Sequence, residues 1–438
     1  NPVKAVTRKS IASARMPAGF SRLARRTEDP AISWLMHSAL ARPKLISLAA
    51  GFTDNDSLPL EHTRALLNQL LRSRKAGRSA LQYGSTQGDP ALRRLTARRI
   101  ERMDGRSGEA STDAERMIIT HGSQQMLYML TEALCDAGDI VLVEDPSYFV
   151  YLAILQSHGV QARGIAMEPD GVSIDALRAR LELLRRSGDL PRVKLLYVVS
   201  YFQNPTGITT SLEKKKAILA LLRKYERAAG HPIYLLEDAA YRKLRFAGKD
   251  IPSALSVDRR RDRVLYVGTY SKPFATGARV GFGILPEPVF TAVCRIKGNH
   301  DFGTSHLLQQ LMARALSSGR YDRHLAELRK RYAHKASIMR EAIRKHFPLE
   351  VQWEMPRGGL YFWARLPSRV SAAPGSRVFE TALANDVLYV PGELCYADDP
   401  TRPKPVHEMR ISFGSASERN IREGIRRLGQ VLHQELTH

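Results

Sequence analysis

From residue 46 to about 285, short apolar runs alternate with amphipathic stretches, the pattern of βαβ units around a largely parallel sheet. Runs rich in Val, Ile, Leu or Tyr predict strands at 117–120, 139–143, 193–199, 233–236, 263–267 and 280–284. Helical spacing of apolar positions between them predicts helices at 123–135, 174–185, 211–229 and 287–297. Past residue 300 the pattern becomes a long charged helical region over about 304–346. Strand character follows from Leu349 to Pro367, broken at Gly358-Gly359, and then a helix, a short strand and a final amphipathic helix. The expected architecture is α/β, a mainly parallel central sheet flanked by helices, with a smaller α+β C-terminal domain. Its expected parts are an N-terminal arm over 1–45, a large domain over 46–300 and a small domain over 301–438.

Composition narrows the class without naming a function. With 438 residues, 43% hydrophobic and 25% charged, the chain has ordinary globular content, which excludes collagen-like, low-complexity and wholly disordered architectures. Cys135, Cys294 and Cys395 are widely spaced and odd in number, so neither a disulfide framework nor a CxxC metal or redox motif is available. No metal is expected. No apolar run approaches the ~18 residues of a membrane span and no signal-peptide core is present, so a cytoplasmic protein without membrane contact is expected.

Sixty-seven Lys and Arg against 44 Asp and Glu leave a formal charge of +23, which raises nucleic acid as a partner. The cations are instead spread along helical stretches such as Arg93 to Arg102 and Arg329 to Lys345 with acids among them, as on solvated helix faces. No nucleic-acid partner is expected. The first 27 residues carry Lys4, Arg8, Lys9, Arg15, Arg22, Arg25 and Arg26 and no acid. A transit peptide has that composition, but amphipathicity is poor, and a flexible basic arm is the expectation.

Ligands in open α/β sheets gather beyond the carboxyl ends of the strands, and four motifs lie there. Gly268-Thr269-Tyr270-Ser271-Lys272, followed by Thr276-Gly277-Ala278-Arg279, places two hydroxyls and a guanidinium as a phosphate cradle beside an amine suited to a Schiff base. A polar turn with an exposed lysine explains that pentapeptide equally well. In Leu235-Leu236-Glu237-Asp238-Ala239-Ala240-Tyr241 an acid ends an apolar strand, where burial without a partner is costly. The pyridinium nitrogen of pyridoxal phosphate is such a partner, and a lysine Schiff base with an Asp opposite that nitrogen is the binding pattern of this cofactor. Alone, Asp238 reads as a helix N-cap. Gln203-Asn204-Pro205-Thr206-Gly207 has the punctuation of a tight turn, from which an amide reaches a phenolate oxygen. Thr120-His121-Gly122-Ser123-Gln124-Gln125 runs from a strand into a helix, whose free N–H groups bind phosphate; Ser123 also serves as a simple cap.

In this order, at the strand ends of one sheet, the four motifs resemble those of the fold type I pyridoxal-phosphate enzymes. The resemblance is specifically to class I/II aminotransferases of the branch that contains 2-aminoadipate and kynurenine aminotransferases. It covers nearly the whole chain, through Ile46-Ser47-Leu48-Ala49-Ala50-Gly51, Leu81-Gln82-Tyr83-Gly84 with Gly88 and Leu92-Arg93, Val143-Glu144-Asp145-Pro146-Ser147-Tyr148 and Arg410-Ile411-Ser412-Phe413.

That resemblance implies pyridoxal 5'-phosphate as cofactor and ping-pong transfer of an amino group between an α-amino acid and a 2-oxo acid. Lys272 is implied to hold the cofactor as an internal aldimine and to act as base and acid, and Asp238 to keep the ring nitrogen protonated. Asn204 and Tyr241 would bond the phenolic oxygen, and Tyr148 would stack on the ring. Ser123, the Gln124 backbone, Thr269, Ser271 and Arg279 would hold the phosphate. Tyr83 is similar to the tyrosine that reaches the phosphate of the neighbouring subunit, which implies a homodimer with shared active sites. Arg410 is similar to the arginine that grips the substrate α-carboxylate, with Gly51, Tyr83 and Asn204 on the same side; a planar fork suits a carboxylate better than lysine does.

The sequence departs from the family pattern at Pro273, Phe274 and Thr276 and in the loop Phe52 to Ser57, and the resemblance implies that this loop lies near the substrate side chain. Arg25 or Arg26 meeting a distal carboxylate is one reading of the arm; a surface position is the expected one. Other outcomes at the same cofactor, such as β-elimination, decarboxylation or acyl transfer, stay open, because fold and cofactor do not decide which bond breaks. A regulatory, non-catalytic protein is a further alternative, disfavoured because the segment before Ile46 is short and carries Pro17, Gly19 and Pro30.

Overall fold

The structure is a computed structural model that describes residues 17–30, 33, 35, 42–106 and 112–437. The strands in chain order begin with β1 (Ile46–Ser47), β2 (Met117–His121), β3 (Ile140–Asp145), β4 (Gln161–Glu168) and β5 (Gly171–Val172). They continue with β6 (Val193–Val199), β7 (Tyr234–Asp238), β8 (Val264–Thr269) and β9 (Val280–Ile284). The last are β10 (Gln352–Trp353), β11 (Tyr361–Arg365), β12 (Val387–Leu388), β13 (Val390–Pro391) and β14 (Glu408–Ser412).

An eight-stranded sheet has the order β2-β9-β8-β7-β6-β3-β4-β5. Pairs β4/β3, β3/β6, β6/β7 and β7/β8 are parallel, while β9 runs antiparallel to both β8 and β2. Helices cover both faces, so the central strands are buried on both sides and read as near-continuous apolar runs, as in Leu195 to Val199 and Val264 to Val267. A four-stranded antiparallel sheet, β10-β11-β14-β13, packs beside it, and β1 pairs in parallel with β12.

The six strands expected between residues 117 and 284 are present, their ends moved by no more than two residues, while the strand character expected from Leu349 to Pro367 resolves into the shorter β10 and β11. β4 was not expected: it is partly exposed along its length, and Gln161, Arg163 and Gly164 interrupt its apolar pattern. The charged region over 304–346 is two helices, His306–Ser317 and Arg320–His346, separated at Gly319, whose φ of 72° breaks the helix. Lys4, Arg8, Lys9 and Arg15 of the basic arm lie outside the described residues. Arg22–Arg26 forms a short helix capped by Ser21, so this part of the arm is ordered structure. Among the described residues no helix is long and apolar enough to cross a membrane.

The topology decides where chemistry is possible. Parallel strands β3, β6, β7 and β8 send Tyr148, Asn204, Asp238 with Tyr241, and Ser271 with Lys272 to one edge of the sheet. From the smaller sheet, β14 brings Arg410 to the same edge, where it bonds Asn204.

Candidate active site

Lys272 follows β8 by three residues, and its Nζ donates to the Gly51 carbonyl at 2.7 Å. Burial, with the neighbouring Arg410 and Arg279 charges, pulls its amine down to about 8. At neutral pH an appreciable neutral fraction exists, which is the nucleophilic form.

Asp238 ends β7 and is 3% exposed. Its carboxylate accepts from the Ala240 N–H at 3.0 Å and from the Tyr197 hydroxyl at 2.9 Å. Burial pushes its pKa up to about 6, opposed by those two donors. Among the described residues this buried acid has no cation partner, which suits a protonated ring nitrogen.

Asn204 lies in a turn closed by the Gly207 N–H on the Gln203 carbonyl at 2.7 Å; Gly207 has φ 78°. Arg410 Nη1 donates to Asn204 Oδ1 at 2.7 Å, which fixes the flip of the amide and turns its NH2 to a different partner. Arg410 is 1% exposed, its Nη2 is on the Ala49 carbonyl, and among the described residues its Nε has no partner. The guanidinium lies 4.3 Å from the ring centre of Tyr361 and 5.4 Å from that of Phe149. Among the described residues it has no ion-pair partner; a buried cation with a spare N–H suits a carboxylate ligand.

Arg279 adopts φ 50° and donates to Ser271 Oγ at 3.2 Å and to the Thr276 carbonyl at 3.4 Å. A Cβ on Gly122 would stand 2.3 Å from its Nη2, so the guanidinium is pressed against the start of helix Gly122–Leu134. That helix has no side-chain cap. A cation facing an uncapped N-terminus is unfavourable until an anion sits between them, and with Ser271 and Ser123 alongside, the cradle fits a phosphate. Thr269 is committed to the main chain: its Oγ1 donates to the Val280 carbonyl and accepts from the Ser271 N–H.

Tyr241 is buried, with its hydroxyl 2.9 Å from that of Tyr361. Tyr148 is half-buried beside Phe149, at a ring separation of 5.9 Å. Tyr83 is not gathered into this cluster. It is 82% exposed and packs edge-on against Phe302 at 5.4 Å. Arg26 is turned the other way, with Nε on the Ser157 carbonyl at the far end of helix Phe149–His158, about 15 Å from the end that carries Tyr148.

The structure adds residues that sequence reasoning missed. Tyr197 was hidden inside an apolar strand, where a polar-tipped aromatic is the only signal. Tyr361 follows the Gly358-Gly359 break by two residues. Glu144 is fully buried on β3, where it accepts from the Val199 N–H at 2.9 Å and from Gln203 Nε2. Burial pushes its carboxyl up to about 8. Its role is to hold Gln203, whose Oε1 in turn accepts from the Thr206 N–H, and so to brace the turn that presents Asn204.

A family model described as aminotransferase class I and II matches residues 43–428. The aromatic-amino-acid aminotransferase 1 of Thermococcus litoralis is 31% identical over 90% of this chain and 89% of its own length. The kynurenine aminotransferase of Pyrococcus horikoshii, solved in complex with PMP, superposes with a TM-score of 0.85 at 30% identity, covering 95% of this chain and 98% of that one. The α-aminoadipate aminotransferase LysN of Thermus thermophilus, solved with N-(5'-phosphopyridoxyl)-L-leucine, gives 0.81 at 30% identity with the same coverage.

Proposed function

The chain belongs to the class I and II aminotransferases, and we propose that its reaction runs through Lys272, Asp238 and Arg410, with an α-amino acid as donor and a 2-oxo acid as acceptor. Pyridoxal 5'-phosphate is the cofactor of this family and, when bound, supplies the electron sink that acidifies the substrate Cα–H. The observation that carries the residue assignment is the convergence of Lys272, Asp238, Asn204, Arg279 and Arg410 from separate strands onto one edge, with Arg410 bonded to Asn204 and Lys272 to Gly51.

Lys272 is the amine that carries the cofactor. Arg279, Ser271, Ser123 and the N–H groups of the first helical turn at Gln124 hold its phosphate, with Thr269 supporting the cradle through Ser271. Asp238 keeps a proton on the ring nitrogen. Asn204 and Tyr241 hydrogen-bond the phenolic oxygen, and Tyr148 covers the ring. Arg410 takes the substrate α-carboxylate in its fork, beside Gly51, and thereby turns the amino group toward Lys272. Freed by the incoming amine, Lys272 Nζ would take the proton from the substrate Cα and deliver it to the C4′ carbon of the cofactor, and water would then release the oxo acid. The oxo acid leaves before the second substrate enters, which makes the kinetics ping-pong.

Two coarser features join this reading. The exposed pair Tyr83 and Phe302, with Leu81 two residues before Tyr83 at 70% exposure, suits a homodimer in which Tyr83 completes the partner's phosphate site. Residues 46–300 act as the cofactor lobe and 301–438 as the smaller lobe that carries Arg410. Three unpaired cysteines agree with a cytoplasmic enzyme.

The experiment is Lys272→Ala. It is expected to abolish the visible absorbance of lysine-bound cofactor and all oxo-acid production while the far-UV spectrum stays native; a borohydride-reducible adduct on another lysine would overturn the assignment. Arg410→Ala is expected to raise the half-saturating amino-acid concentration by about ten- to a hundredfold, the loss of a charged hydrogen bond, while lysine-bound cofactor still forms.

A further inference from the structure

Tyr361 enters the site from the four-stranded sheet, and the family reaction as set out above gives it no task. It is 1% exposed, and its hydroxyl is 2.9 Å from the hydroxyl of Tyr241. Its placement is built in from both sides. A Cβ on Gly51 would come within 2.8 Å of the Tyr361 oxygen, so this oxygen occupies the space beside the segment whose carbonyl receives Lys272. A Cβ on Gly358 would collide with the Phe202 ring at 2.6 Å, and Gly359, at φ 70°, with Phe202 Cβ at 2.9 Å. The glycine pair therefore lets the strand approach the Gln203 to Gly207 turn closely enough for Tyr361 to reach Tyr241.

The direction of the hydrogen bond follows from counting protons, on the reading that Tyr241 donates to the phenolic oxygen of the cofactor. A hydroxyl has one hydrogen and two lone pairs. With its hydrogen committed to the cofactor, Tyr241 meets Tyr361 as acceptor, and Tyr361 is the donor. A hydroxyl that accepts one bond while donating another is polarised into a stronger donor, more so in a buried chain.

We propose that Tyr361 is a positioning residue of the reaction that acts through Tyr241, strengthening the hydrogen bond on the phenolic oxygen and so favouring the deprotonated form of the lysine-bound cofactor. The contact joins a strand of the smaller sheet, the one beside Arg410 in register, to a turn of the larger sheet. The acidity of the bound cofactor thus depends on the seating of the two sheets against each other.

The test is a spectrophotometric pH titration of bound cofactor in the wild type, Tyr361→Phe, Tyr241→Phe and the double variant. Tyr361→Phe keeps the ring under Arg410 and removes only the hydroxyl. Its midpoint is expected to rise by roughly half to one pH unit, the worth of one neutral hydrogen bond. Tyr241→Phe is expected to rise further, and the double variant to match Tyr241→Phe. A Tyr361→Phe midpoint equal to wild type beside a raised Tyr241→Phe midpoint overturns the inference and leaves the Tyr241 assignment standing. Additive rises in the double variant overturn action through Tyr241. Unchanged midpoints in both single variants overturn the Tyr241 assignment and this inference together.

Discussion

Asp238 is held between opposed influences, and the Tyr197 hydroxyl is one of two donors that favour its charged form. Burial favours its neutral form, pushing it to about 6, while Tyr197 and the Ala240 N–H favour the carboxylate that must face the ring nitrogen. Removing one donor therefore raises the pKa. Tyr197→Phe is expected to move the acid limb of cofactor binding upward by about one to two pH units, since a hydrogen bond to a charged group contributes about 1.5 to 3 kcal/mol. Cofactor affinity measured from pH 5 to 8 in both proteins decides it: the cofactor's own titrations are common to the two curves, so coincident acid limbs would deny Tyr197 this role. At this scale the sequence was informative about Lys272, Asp238, Asn204, Arg279 and Arg410, because each follows or ends a recognisable strand or sits in a motif. It was silent about Tyr361, which lies 120 residues from Tyr241 and meets it only because two sheets pack together.

Several elements were legible where periodicity was clean, although the amphipathic helix Leu60–Arg72 was not among the expected ones. The helix Phe149–His158 escaped because Phe, Val, Tyr, Leu and Ile surround it on all sides, which leaves no polar face to mark a helical period. What no pattern discloses is how neighbouring strands brace one another, and Glu144 is the case in point. Its carboxyl bridges β3 to Val199 of β6 and to Gln203 in the turn beyond it, while Oε1 has no partner among the described residues. An acid whose pKa rises from 4.5 when unfolded to about 8 when folded binds a proton preferentially in the folded state. Its contribution to stability is therefore present below about pH 4.5 and is lost as pH climbs toward 8. Glu144→Gln, neutral throughout, is expected to melt with a smaller drop between pH 5 and pH 8 than the wild type. Glu144→Leu, which leaves the Val199 N–H and the Gln203 amide without an acceptor, is expected to lose about 2 kcal/mol or more at either pH. Thermal melts of the three proteins at both pH values measure this; an equal pH dependence in Glu144→Gln and wild type would place the titration elsewhere.

Across the whole molecule, acids are met by local cations, as in Arg64 with Glu61, Arg178 with Asp175, and Arg426 and Arg427 with Glu423, and the charge of +23 is the excess left after such pairing. The positive charge placed in the reaction is confined to Lys272, Arg279 and Arg410, and one assigned residue, Tyr83, stands outside their cluster on an exposed surface. Its place is explained if two copies associate so that Tyr83 of each serves the site of the other, and subunit mixing tests that arrangement. Suppose Lys272→Ala and Tyr83→Ala are each inactive alone. In a mixed dimer with shared sites, one site combines both defects, while the other joins an intact Lys272 to an intact Tyr83. Random reassortment makes about half of the dimers mixed, so about a quarter of wild-type activity is expected to return when the two variants are refolded together in equal amounts. If Tyr83 instead serves the site of its own chain, every site in the mixed dimer lacks one residue and no activity returns. Light scattering on the same samples reads the oligomeric state, and a monomer of 49.1 kDa would dispose of the shared site outright.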